Sequence, residues 1–158
     1  MEATITSTRK TTTKTKKQQT TAAATPAPAA EQSKGRADAA RDFAIEAARL
    51  AANTRCHNVV VLDVRGISPV TDYLILATGS SSRQMGTVMN EMEELGQGRG
   101  FGCLSRGGYE GDTWLLCDMV DVVVHVFNQE SRLYYDLDSL WGDAKRVEWK
   151  PAEVQQPA

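Results

Sequence analysis

Five side chains in this 158-residue chain could ligate a soft metal ion: Cys56, His57, Cys103, Cys117 and His125. A zinc site usually draws its ligands in closely spaced pairs such as C-x2-C. No such cysteine pair occurs, and the candidates fall on different predicted elements. The pattern predicts no metal and no cofactor. Phosphoryl transfer is the next chemistry to weigh. Gly79-Ser80 ends a predicted strand and opens a predicted helix, where backbone N–H groups can seat a phosphate. Two carboxylates would then have to hold metal ions. Glu91 and Glu93 have a tempting spacing, but residues two apart on a helix point about 200° away from each other. Gly96, Gly98, Gly100 and Gly102 follow a helix and precede a strand, the reverse of a dinucleotide fingerprint. Ser80–Ser82 lack a G-x-S-x-G elbow. No catalytic residue is therefore assigned.

What remains is a surface. Trp114 opens a predicted strand, and Leu133-Tyr134-Tyr135-Asp136-Leu137 and Leu140-Trp141 follow. Aromatics interleaved with carboxylates suit a protein–protein hot spot with an apolar anchor and an acidic rim. Leu137 and Trp141, four residues apart, read instead as core positions of a C-terminal helix.

The elements that must position these groups follow from periodicity. Phe43, Ala47, Leu50 and Ala51 share one face of a predicted helix over residues 38–53. Asn58–Val64 and Thr71–Thr78 read as strands separated by a Gly/Ser/Pro turn. Met85, Val88, Met89, Met92 and Leu95 form the apolar stripe of a second helix, with Glu91, Glu93 and Glu94 off it. Phe101–Arg106, Thr113–Cys117 and Val122–Phe127 are three more strands, the first pair joined by a Gly-rich hairpin loop. One or two short helices cover 130–141, and 144–149 offers a terminal strand. The sum is one small α+β domain over residues 37–150, with a mixed, roughly five-stranded sheet flanked by helices, and a frayed end over 151–158.

Charge divides the chain. The net charge is −2, yet residues 1–36 carry seven Lys/Arg against two Asp/Glu, and residues 37–158 carry 11 against 18. A +5 arm thus precedes a −7 body, which repels nucleic acid and attracts basic surfaces. The arm is rich in Thr, Ala and Pro and has few large apolar groups, so it reads as a disordered tail. It is Thr-rich and acid-poor as transit peptides are, but has only two Arg and no apolar face. No run approaches the roughly 18 apolar residues of a membrane span. Three cysteines cannot all pair internally, which favours a reducing compartment.

Several of these segments together resemble the ribosomal silencing factor (Iojap-related) family: Val60–Tyr73, Ala77–Gln84, Trp114–Asp118, Asp121–Phe127 and Arg132–Trp141, in that order. The resemblance spans about residues 38–149. It implies a nucleotidyltransferase-like α/β fold without catalytic residues. It also implies a translational repressor that binds the large ribosomal subunit through ribosomal protein L-fourteen and sterically blocks joining of the small subunit. Matched to the family pattern, Trp114 is the expected anchor and Asp118 and Asp121 face the partner, with His125, Arg132 and Tyr134 as further candidates. Asp72 and Tyr73 match a family signature that can equally serve the fold. The expected partner is the large subunit, with incidental RNA contact by the basic tail and no membrane; the free protein is a monomer or homodimer. The expected location is the cytoplasm, or a plastid or mitochondrion if residues 1–36 are a transit peptide. A metal-dependent nucleotidyltransferase and a large-subunit assembly factor are the alternatives.

Overall fold

The computed structural model describes residues 29–108 and 111–151. Ten elements follow one another: α1 (Ala29–Asn53), β1 (His57–Asp63), β2 (Tyr73–Thr78), α2 (Ser82–Gly98), β3 (Ser105–Gly107), β4 (Trp114–Asp118), β5 (Val122–Phe127), α3 (Gln129–Tyr135), α4 (Leu137–Leu140) and β6 (Lys145–Arg146). The strands form one mixed sheet in the order β3-β4-β5-β2-β1-β6. Among the described strands only β2 and β5, at its centre, run parallel, with Tyr73 beside Val122 and Thr78 beside Phe127. The expected α+β sheet domain is present, with six strands rather than five; the sixth is the two-residue β6, paired to Leu62 and Asp63.

Alternation along the strands builds a core on each face of the sheet. On one face Tyr73, Ile75, Ala77, Leu115, Cys117, Val122, Val124 and Val126 pack beneath Phe43, Ala47 and Ala51 of α1 and Met85, Val88, Met89 and Met92 of α2. On the other, Leu62, Leu74, Leu76 and Phe127 meet Leu137 and Trp141 from the C-terminal segment. Both helical stripes read from the sequence are thus core faces, and Leu137 and Trp141 pack against the core as expected.

Three sequence expectations need correction. α1 begins at Ala29, so residues 29–36 are helical rather than part of a disordered tail; residues 1–28 lie outside the described residues. The extension is tied down by Arg36, whose Nε donates to Asp121 Oδ2 at 2.7 Å and whose guanidinium lies 5.2 Å from the Phe101 ring centre. The strand expected over 101–106 shrinks to Ser105–Gly107, because Phe101 leaves the sheet plane to stack on Phe43 with ring centres 5.1 Å apart. Gly100 makes that turn at φ +82°, and the Phe101 N–H returns to the Gly96 carbonyl at 2.7 Å. Finally, Glu93 is buried instead of solvent-facing, and pairs with Arg106 of β3.

Candidate protein-docking face

The residues picked out by sequence divide by position. Trp114, Leu116 and Asp118 alternate onto one face of β4, the face opposite α1 and α2. Val123, His125 and Phe127 present the same face on the neighbouring β5, with Trp114 directly opposite Phe127. Tyr135 closes the group from α3. Its ring centre lies 4.5 Å from Trp114, and Trp114 lies 5.1 Å from Phe127. Tyr134 meets Tyr135 edge-on at 5.0 Å and is 81% exposed. The result is a continuous aromatic row that runs from the buried Phe127 through half-buried Trp114 to solvent. Beside Trp114, Leu116 and Tyr135 a cleft of about 610 Å³ opens against Gly107 and Gly108.

His125 holds the anchor from beneath. The Trp114 indole N–H donates to His125 Nδ1 at 3.0 Å. Because indole can only donate, Nδ1 must accept, so the imidazole carries its proton on Nε2. Burial pushes the His125 pKa down to about 4. His125 is therefore a buried, neutral support for Trp114 rather than a side chain that itself faces a partner.

Asp118 shares the Trp114 face, about 13 Å along the strand at 3.3 Å per residue. Its carboxylate accepts the Val120 N–H at 2.8 Å and so also shapes the β4–β5 turn. Asp121, in that turn, is engaged by Arg36 at 2.6 Å. Arg132 is a correction: only 6% of it is exposed, and it points inward. Its guanidinium grips both oxygens of Asp138 at 2.8 and 3.0 Å and donates to Thr78 Oγ1 at 3.1 Å. The pairing holds the Asp138 carboxyl below its usual range. Arg132 fastens α3 and α4 to the end of β2 and offers no free face to a partner.

Tyr135, from the segment that the sequence offered as surface, completes the row; Leu133 and Leu140 of α3 and α4 are exposed as well. Leu116 had a readable signal, since it sits two residues from Trp114 in a strand. Leu133 and Leu140 lie in the segments read as surface, although helices this short have no reliable periodicity to say which of their side chains face solvent.

The stretch that resembled a phosphate seat is capped from within the chain. Ser81 caps α2 by accepting the Gln84 N–H at 3.2 Å, and Gln84 Oε1 accepts the Ser80 N–H at 2.7 Å. These bonds occupy the Gln84 N–H in the first turn and the Ser80 N–H just before it, an arrangement close to a capping box. Gln84 Nε2 also reaches the Thr54 carbonyl at 2.8 Å, tying α2 to the end of α1. Glu91 is exposed while Glu93 is buried, so they diverge as helical geometry requires.

Comparison with known proteins fixes the context. Residues 37–158 match the family described as ribosomal silencing factor during starvation. The chain belongs to this ribosomal silencing factor family. It is 39% identical over 94 residues to a ribosomal silencing factor of Halalkalibacterium halodurans, covering 60% of this chain and 80% of the relative. It is 30% identical over 115 residues to the chloroplastic protein Iojap of Arabidopsis thaliana, covering 73% of this chain and 48% of that one. A crystal structure from Chromobacterium violaceum superposes with a TM-score of 0.59 at 28% identity, over 73% of this chain and 93% of that one. As a ribosomal silencing factor the protein is a regulator of translation. For such a regulator the relevant geometry is the docking face, and its aromatic row lies on the acidic body that the family match spans.

Proposed function

We propose that the protein binds the large ribosomal subunit through ribosomal protein L-fourteen and keeps the small subunit away by occupying the space it needs. The observation that carries this reading is the aromatic row from Phe127 through Trp114 and Tyr135 to exposed Tyr134, on a body of net charge −7. Aromatic anchors supply binding energy in a desolvated patch, and opposite charge speeds and orients encounter with a basic partner. Trp114 is pre-oriented by His125, so little side-chain entropy is lost on docking. Asp118, on the same face, supplies a carboxylate at the rim. Steric occlusion needs affinity alone, and no bond is made or broken. The proposed location is wherever the cognate ribosome works: the cytoplasm, or a plastid if residues 1–36 direct import.

Sedimentation with purified large subunits tests the reading. Co-sedimentation, loss of subunit joining, and a weakening of more than about 1 kcal/mol for folded Trp114→Ala are expected. Failure to bind large subunits or isolated L-fourteen at low and moderate salt overturns it. Accumulation of large-subunit precursors on depletion, with joining unaffected, would favour an assembly role for the same face.

A further inference from the structure

The two cysteines that looked unrelated in sequence meet beneath β4. Cys117 is fully buried in the core under α2, and Cys103 is half-buried in the connector that folds under the sheet after Phe101. Their sulfurs lie 2.7 Å apart. Glu93 of α2 completes a cluster in which one ligand atom from each residue lies within 4.8 Å of the others.

Two chemistries could use such a cluster, a bound zinc ion and a disulfide. Two thiolates on one tetrahedral zinc, each about 2.3 Å from the metal, sit roughly 3.8 Å apart. A disulfide requires about 2.05 Å. The observed spacing matches neither value; it places the two thiols in direct contact and unbonded. Glu93 is moreover bound by the Arg106 guanidinium, a cation that opposes a second cation at the same place. Burial and the neighbouring Cys103 and Glu93 raise the pKa of Cys117, so Cys103, and not Cys117, is the thiol that starts the exchange.

We propose that Cys103 and Cys117 are an oxidisable dithiol that closes to an intramolecular disulfide in the presence of a low-molecular-weight disulfide such as glutathione disulfide. Cys103, the more accessible of the two, attacks one glutathione sulfur as the thiolate and releases the first glutathione. Cys117 then attacks the Cys103 sulfur of the mixed disulfide, and its proton leaves with the second glutathione. Two protein thiols are oxidised and one glutathione disulfide is reduced to two glutathiones. The bond would pin the connector and β3 to the underside of β4, whose opposite face carries Trp114. This chemistry is independent of ribosome binding.

The test uses the reduced full-length protein under native conditions with glutathione disulfide, followed by non-reducing tryptic mapping and thiol titration. The expected product joins the peptide 100–106 to the peptide 107–132, and the three free thiols fall to one. That survivor is Cys56, a thiol pushed up to about 11 by burial and without a partner sulfur nearby. Cys103→Ser should yield no linked peptides. Three outcomes overturn the proposal: a glutathione adduct that persists on Cys103, all three thiols surviving, or a bridge that recruits Cys56. Stoichiometric zinc retained by the reduced wild-type protein through dialysis, and lost in Cys103→Ser, also overturns it. The mapping of the wild-type chain decides the matter even if the variant fails to fold.

Discussion

The indole of Trp114 and the imidazole of His125 share one proton-defined hydrogen bond of 3.0 Å, with Nδ1 as acceptor. That single contact makes the proposed anchor depend on a neutral histidine. The folded-state pKa near 4 lies below the ordinary histidine value of about 6.5. Between these values the unfolded chain takes up a proton that the folded one refuses, so stability rises with pH. The contribution is complete above about pH 6.5, is lost as pH falls toward 4, and amounts to roughly 3 kcal/mol at most. Urea unfolding at pH 7, 5.5 and 4.5 should show this loss. His125→Asn, whose side-chain oxygen can still accept from the indole, should flatten the slope in that window; an unchanged slope assigns the titration elsewhere.

Tyr134 and Trp114 should separate binding from folding. Tyr134 is 81% exposed, so Tyr134→Ala is expected to change stability by less than about 0.5 kcal/mol. If it lies in the interface it should still weaken large-subunit binding several-fold in sedimentation. Trp114→Ala removes packing against Phe127 and Tyr135 as well, so it should lower both stability and affinity. Equal affinity for Tyr134→Ala and the wild type would move the interface off α3.

Arg132 is expected to act on stability. Arg132→Met leaves the Asp138 carboxylate and Thr78 hydroxyl without their donor, at a cost of about 2 kcal/mol after allowance for the partial exposure of Asp138. Denaturant midpoints measure it directly. Asp138 is held below its usual range by Arg132, so this stabilisation is present above about pH 4 and lost as pH falls through the depressed folded value. The gap between wild type and variant should therefore narrow in acid. Arg132→Lys, which lacks the planar fork, should recover only part of the loss.

Arg36→Ala should act locally. The Arg36–Asp121 pair is more than half exposed on the arginine side, so its contribution to global stability is below about 1 kcal/mol. Amide exchange over residues 29–36 should nevertheless accelerate, since that turn of α1 is anchored through this residue and its contact with Phe101. Unaltered exchange would mean that helix propensity alone holds the segment.

Elements whose signal is local were legible in the sequence. Val122–Phe127 is the strand it was read to be, and Met85, Val88, Met89 and Met92 are all buried on one helix face. What escaped were relationships across the fold. Arg132 lies six residues from Asp138 and 54 from Thr78, a pairing no motif announces. Cys103 and Cys117 meet only because Phe101 draws the connector under the sheet. The start of α1 at Ala29 carries no local signal, because the composition of 29–36 is that of the tail, whereas the tether to Asp121 lies 85 residues away. For the candidate site, Trp114 and Tyr134 could be read as surface aromatics, but the support from His125 required the register of β4 against β5.

The parallel pairing of β2 with β5 carries a consequence for the order of synthesis. Every residue of β2 is buried in the finished fold, yet its central partner is made only after α2, β3 and β4. Until Phe127 has emerged from the exit tunnel, the nascent chain therefore carries an apolar strand with one long edge unpaired, a condition that slows folding and invites mispairing. Closing the centre of the sheet is thus among the last steps of folding, after both of its flanking helices have been made.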